Sequence, residues 1–242
     1  MKKNIIVLLA CLSLVLPSWA QNLTMADFKQ VVEQIKKMSR YSYVTDIDAV
    51  FPDGKKDSRK NILYMDAAKK LLFFKNKDEQ MVMNSQWFYK ASHYQKYVSI
   101  FDIARYQERY KGAMGDLSSI FKNSSTATFL DSVLVQQGKI KAGKRIGDLS
   151  SYDFSFPKES SLQSVQIIFN HATGLPMTIT MRTFFAEPYG DNAQAGTMYS
   201  MRCHSYTTNF SDDVFSIASL FTVTGGKAHL LQFKNYKLSS IL

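Results

Sequence analysis

Cysteine is almost absent from this chain of 242 residues: there are two, Cys11 and Cys203. Histidine is nearly as scarce, with four residues. His93, His171, His204 and His229 are scattered, and no two stand at metal-ligand spacing. There is no H-E-x-x-H, no G-x-S-x-G, no P-loop and no dinucleotide fingerprint, so the common zinc, serine-hydrolase and nucleotide-dependent chemistries have no local signature. Beyond the N-terminus no run is apolar over the ~20 residues that a membrane-spanning helix requires. No repeat of ~20–50 residues divides the chain.

What is present begins with an export signal. Lys2 and Lys3 precede an apolar run from Ile5 to Leu16, and "PSWA" then supplies Ser18 and Ala20 as a small-x-small cleavage site. Pro17 and the polar "QNLTMADF" stop the run short of a membrane anchor. "LLAC" resembles a lipoprotein processing box, but cleavage before Cys11 would leave a stunted apolar region and a hydrophobic new terminus. The expectation is a signal peptide over 1–20, cleaved after Ala20, and one domain over 21–242 in a bacterial periplasm. Cys203 is then the only cysteine, so no intramolecular disulfide forms, and the core must be large enough to stand without one. The mature chain has 28 basic and 20 acidic residues, a formal charge of +8. An exported protein rarely meets nucleic acid, so a soluble basic surface and peripheral contact with anionic headgroups are the two readings of that charge.

Hydrophobic spacing assigns most of the elements. Thr24 as N-cap, Asp27 in the first turn and Phe28, Val31, Val32, Ile35 and Met38 predict an amphipathic helix. "YSYVTDIDAVF" alternates, with Tyr41, Tyr43, Thr45, Ile47, Ala49 and Phe51 on one side of a strand and Asp46 and Asp48 on the other. "PDGKKDSRK" reads as a basic turn. "NILYMD", "KLLFFK", "QMVMN", "QWFYK" and "KYVSIFD" then read as a meander with hairpin-length links. Helical spacing covers "IARYQERYKGAMGDLSSIFKN" and "SSTATFLDSVLVQQG", the second ending at Gly138. "GKIKAGKRIGDLSS" reads as a basic connection. "YDFSF", "SVQIIFN", "PMTITMRTFF" and "GTMYSMRCHSYTTNF" predict returning strands, and "SDDVFSIASLF" a short capped helix. "TGG" separates two last strand candidates. Short links between strands predict an α+β fold: a strongly curved antiparallel sheet, a half-open barrel, with helices on or in its concave face.

The apolar inventory points to a ligand class. The mature chain keeps ten methionines, several of them on strand-like segments where β-branched residues are more usual. Flexible, polarizable Met beside Phe, Trp and Tyr suits a face that accepts acyl chains, and equally fills an ordinary core. "DID" (Asp46, Asp48) admits acid–base chemistry as well as a solvated strand face, and a hydrolase acting through that pair is a third option.

A resemblance adds to this. "NILYMDAAKKLLFFKNKDEQMVMNSQWFYKASHYQKYVSIF" follows an exported amphipathic helix and a strand, and within it Trp87 and Tyr89 precede a strand holding Val98 and Ile100. "FNHATGLPMTITM" reads as a later hairpin in which a turn with Gly174 and Pro176 precedes a strand. Over about residues 24 to 181 this pattern resembles the LolA/LolB-like periplasmic lipoprotein-carrier superfamily. The resemblance implies a half-open barrel lidded by helices, with an aromatic and aliphatic cavity for acyl chains. Such carriers usually have a proline and an arginine after the first turn, where this chain has Arg59 and no proline, and "AHLLQFKNYKLSSIL" has no counterpart. The expected function is non-enzymatic binding or carriage of lipid or lipoprotein acyl chains, without cofactor, metal or catalytic residue. The alternative is a structural subunit of an envelope complex with the same fold and envelope proteins as partners. Expected cavity-lining residues are Phe73, Met81, Met83, Trp87, Tyr89, Met177, Ile179 and Met181. Because Lys90 prefers water, Trp87 and Tyr89 are expected to face the concavity and Phe88 with Lys90 to face out.

Overall fold

A computed structural model describes residues 21–110, 130, 133, 138–157, 160–186 and 196–242. The expected signal peptide, most of the residues expected to be helical between 103 and 137, and residues 187–195 lie outside the described residues. Among the described helices none is long and apolar enough to cross a membrane.

Helix α1, Met25–Lys36, starts where the sequence says it should. The Thr24 hydroxyl accepts from the Asp27 N–H, and the Asp27 carboxylate accepts from the Thr24 N–H at 2.7 Å, a reciprocal capping box. That hydrogen bonding holds the Asp27 carboxyl below its usual pKa. Phe28, Val31, Val32 and Ile35 form the buried stripe. Just before the helix, Leu23 passes so close to Gly143 that a Cβ there would sit 3.0 Å from both the Leu23 Cβ and its carbonyl oxygen. The Leu23 N–H donates to the Gly143 carbonyl at 3.2 Å. Gly143 therefore seats the start of α1 against the sheet.

The main sheet has thirteen strands. In chain order the first twelve are β1 (Gln21–Asn22), β2 (Arg40–Val50), β3 (Lys56–Asp66), β4 (Leu71–Lys75), β5 (Glu79–Met83), β6 (Trp87–Ser92), β7 (Tyr97–Asp102), β8 (Lys139–Ile146), β9 (Leu149–Ser155), β10 (Leu162–Asn170), β11 (Leu175–Ala186) and β12 (Gly196–Thr207). A separate hairpin of β13 (Phe221–Thr224) and β14 (Lys227–Leu230) precedes the last strand of the main sheet, β15 (Lys237–Ile241). The spatial order is β1-β8-β9-β10-β11-β12-β2-β3-β4-β5-β6-β7-β15, and the two ends do not meet. The result is an α+β fold in which a strongly curved, half-open antiparallel sheet carries its helices on the concave face. Helix α2, Ile103–Arg109, follows β7, capped by the Asp102 side chain. Leu130 and Val133 are helical and fully buried in the same core as α1.

Two stretches read as connections are strands instead. "KDSRK" belongs to β3, which pairs with β2 over its whole length from Lys56↔Val50 to Asp66↔Arg40. Polar cross-strand contacts take the place of apolar patterning there: the Ser58 hydroxyl donates to Asp48 at 2.7 Å. "KIKAGKRI" is β8, whose lysines lie on a strand near the sheet edge, where charge discourages pairing with foreign chains. The expected short helix after Ser211 is a single 3-10 turn, Asp212–Phe215. The "TGG" turn joins β13 and β14, with Gly225 at φ 59° and Gly226 at φ 72°. No local signal marked β15, which pairs with β7 in parallel, Lys237↔Tyr97 to Ile241↔Phe101.

The register divides the side chains into two faces. Tyr41, Met65, Leu72, Met83, Phe88 and Phe101 are successive cross-strand partners from β2 to β7 and share one face. Thr45, Cys203, Ile179, Ile167 and Tyr152 continue that face from β2 to β9. The α1 stripe packs on it, so it is the concave face. The opposite face carries Asp46, Lys60 and Arg202 at its centre, but Val82, Tyr89, Ala91, Val98 and Ile100 beneath Leu220 and Phe221 on the β5–β7 half.

Candidate functional site

Among the described residues the concave face is fully buried on one half and only half-buried on the other. Over β8–β11, Phe28 meets the rings of Tyr152 and Phe154 at 5.3 and 4.6 Å, and Val165, Ile167, Phe169, Ile179 and Met181 close the core beneath α1. Across β12, β2, β3, β4 and β5 the cover is incomplete. Met201, Ile47, Tyr43, Phe74 and Met81 are half-buried there, forming a diagonal apolar strip. Met201 pairs with Ile47, and Tyr43, Leu63, Phe74 and Met81 are cross-strand partners in turn. Below the strip lies the buried row of Tyr41, Met65, Leu72 and Met83. Above it is a charged rim: the Asp57 carboxylate accepts from Arg59 at 2.7 Å and Lys77 at 3.0 Å, and Arg59 pairs with Asp78 at 3.2 Å. These cations hold the Asp57 carboxyl below the usual carboxylate range. Within the strip the Asn61 side-chain oxygen is buried and has no hydrogen-bond partner among the described residues. Cys203, beside it, shares a hydrogen bond with Thr45, and burial pushes its thiol pKa up, which makes it a poor nucleophile.

The eight residues expected to line one cavity are not brought together. Met81 and Met83 lie on the concave face of the β4–β5 region, Met81 in the strip and Met83 buried below it. Ile179 and Met181 share that face but belong to the filled half under α1. Met177 stands beside a bulge in β11 and is 47% exposed. Phe73, Trp87 and Tyr89 point the other way. The expected orientation of β6 is therefore corrected: Phe88 faces the concavity, and Trp87 and Tyr89 face outward. Lys90 can stand on the concave side because it lies at the rim, where it pairs with Glu79 at 2.8 Å. The outward side of this half is dry because the C-terminal segment covers it. Phe221 stacks against Tyr89 and meets Trp87 edge-on at 5.5 Å, and the Tyr89 hydroxyl, buried without a described partner, has its pKa pushed up to about 12 by desolvation.

One arginine roots this C-terminal cover. Arg40 donates to Asp66 at 2.9 Å, to Asp212 at 2.7 Å and to the Phe210 carbonyl at 2.5 Å, and its guanidinium lies 4.1 Å from the centre of the Phe210 ring. Lys69 donates to the other oxygen of Asp212 at 2.7 Å, and both cations hold that carboxyl below its ordinary pKa. Sequence reading missed Arg40 because its partners are up to 172 residues away. Phe74 and Ile47 were legible as strand residues, but which face opens depends on where α1 sits.

The remaining chemical candidates are accounted for by contacts. Asp46 accepts a hydrogen bond from His204 at 2.9 Å, and the other ring nitrogen lies 2.8 Å from the hydroxyl of Ser205, at φ 57°. These contacts fasten the bulge after His204 to β2. Asp46 and Asp48 both lie on the outer face, away from the strip. Among the described residues no three His, Cys, Asp or Glu side chains are placed to hold a metal ion.

No protein-family model matches this chain, and no curated protein does. Solved structures are similar in outline. A LolA superfamily protein from Nitrosomonas europaea is 10% identical, covering 78% of this chain and 96% of that one at a TM-score of 0.32. An uncharacterized conserved protein from Thermus thermophilus is 6% identical, covering 88% and 98% at 0.41. LprF from Mycobacterium bovis is 9% identical, covering 79% and 97% at 0.37. At these TM-scores the likeness carries no weight for function, and the site stands on its own residues.

Proposed function

We propose that the protein is a non-enzymatic binder or carrier of acyl chains, from lipid or lipoprotein, acting in the periplasm after removal of residues 1–20 as one domain over 21–242. The observation that supports this most is the half-covered strip of Met201, Ile47, Tyr43, Phe74 and Met81 on the concave face of a sheet that does not close. Such side chains give up water for an alkyl chain at ~25 cal/mol per Å² buried, which needs no catalytic group. Methionine and aromatic side chains repack around chains of different length. Of the eight expected lining residues the strip retains Met81, with Met83 as its floor. Native mass spectrometry of the protein purified from its own envelope tests the reading: bound lipid mass and extractable acyl species are expected, and a clean apo mass with no extractable lipid refutes it.

The filled half beneath α1 favours a second reading, an assembly subunit whose core is structural. It is distinguished by cross-linking in intact cells: covalent capture of envelope proteins, with no lipid on extraction, supports it over the carrier.

A further inference from the structure

If the acyl-chain reading holds, the shape of the open strip restricts what it takes. The strip crosses five neighbouring strands, β12, β2, β3, β4 and β5, which at ~4.8 Å per strand spacing is about 19 Å of apolar floor. Along the strands it is narrow. The Tyr41–Met65–Leu72–Met83 row is buried on one side and the Asp57–Arg59 rim is charged on the other. Same-face neighbours on a strand are only ~7 Å apart, and on β4 and β5 a single half-buried apolar residue, Phe74 or Met81, stands beside the buried Leu72 and Met83, so at that end the band has the width of one alkyl chain. Spreading into the β8–β11 half would require expelling Phe28, which is fully buried between α1 and the sheet.

The rim also has a preference. Its carboxylates, Asp57, Asp78 and Glu79, and its cations, Arg59, Lys77 and Lys90, cancel and already pair with one another. A carboxylate or phosphate monoester arriving at Arg59 would have to displace a carboxylate the arginine already holds, and would then sit beside it as a like charge. A head group with no net charge meets no such cost. From these contacts we infer that the site takes a single-chain amphiphile, its chain laid across Met201, Ile47, Phe74 and Met81 and its net-neutral polar head at the Asp57–Arg59–Lys77–Asp78 rim.

The test titrates the mature protein with three probes, each below its aggregation concentration: a lysophosphatidylcholine, the fatty acid of the same chain at pH 8, and a short-chain diacyl phosphatidylcholine. Binding is read by calorimetry and stoichiometry by native mass spectrometry. One equivalent of lysophosphatidylcholine is expected, with each of the other two at least tenfold weaker. Ile47→Asp and Met81→Asp, on β2 and β5, each bring a charge against the bound chain and should weaken that binding at least tenfold. A denaturant midpoint is measured on both, and whichever variant keeps the wild-type midpoint is the one scored. If none of the probes binds, the acyl-chain reading itself falls. If the diacyl lipid binds as tightly, or two equivalents of lysophosphatidylcholine bind, the single-chain inference falls while the acyl-chain reading stands. Equal affinity for the fatty-acid anion overturns the neutral-head assignment, and unchanged affinity in a well-folded strip variant overturns the location.

Discussion

Replacing Phe28 by alanine tests whether α1 is a wall of the site or a lid. Phe28 is fully buried, with ring contacts to Tyr152 at 5.3 Å and Phe154 at 4.6 Å and the α1 stripe of Val31, Val32 and Ile35 around it. A buried Phe→Ala change costs ~3–5 kcal/mol, of which the two ring contacts account for roughly 0.5–1.5 kcal/mol each. The upper end is expected here, because the capping box and the Leu23–Gly143 contact fix the helix start and limit how far α1 can settle into the cavity. With a urea m-value of about 2 kcal/mol/M, a loss near 5 kcal/mol lowers the midpoint by about 2.5 M at unchanged m. Urea unfolding followed by far-UV circular dichroism measures this. A loss below ~1 kcal/mol would refute the reasoning. It would mean that α1 leaves the sheet easily, that the β8–β11 half opens with it, and that the restriction to a single chain has no structural cause.

Three further outcomes are expected. Tyr89→Phe removes a buried hydroxyl without a described partner, so stability at pH 7 should hold or rise by up to ~1 kcal/mol. In the wild type, burial favours the neutral phenol: the fold binds that proton more tightly than the unfolded chain, so its contribution is complete below pH 10 and is lost as pH rises from 10 to about 12. Unfolding midpoints measured across that range should fall more steeply for wild type than for Tyr89→Phe, and parallel curves would count against the assignment. Arg40→Met cuts the contacts to Asp66, Asp212 and Phe210, so hydrogen exchange in residues 210–236 should speed up and Trp87, which packs on Phe221, should emit further to the red. Unchanged exchange there would show that Arg40 does not root the segment. Cys203, whose thiol pKa is raised by burial, should react with iodoacetamide at pH 8 far more slowly in the native than in the urea-unfolded protein, and equal rates would contradict its placement.

Local physics was legible in the sequence wherever one element carries its own signal. Thr24, Asp27 and the Phe28–Val31–Val32–Ile35 spacing determined where α1 starts and which face it buries, with its end two residues short of the expected Met38, because capping and helical periodicity act over a few positions. Alternation determined β2 and the meander from β4 to β7, and the short links made the sheet antiparallel. The polar start of β3, "KDSRK", and the whole of β8, "KIKAGKRI", were not legible, because cross-strand partners rather than apolar spacing hold them in the sheet. The pairs that share a face within β6 were also settled by the sequence, Trp87 with Tyr89 and Phe88 with Lys90, since the strand period is two. Which pair faces inward was not. That depended on the C-terminal segment reaching back to cover Trp87 and Tyr89, a contact between Trp87 and Phe221 across more than half the chain. The site has the same origin: its residues are ordinary strand residues, and tertiary structure alone decided that α1 covers β8–β11 and leaves β12 to β5 partly open. Periodicity specifies the faces of an element, but only the packing of distant elements specifies which face stays unfilled.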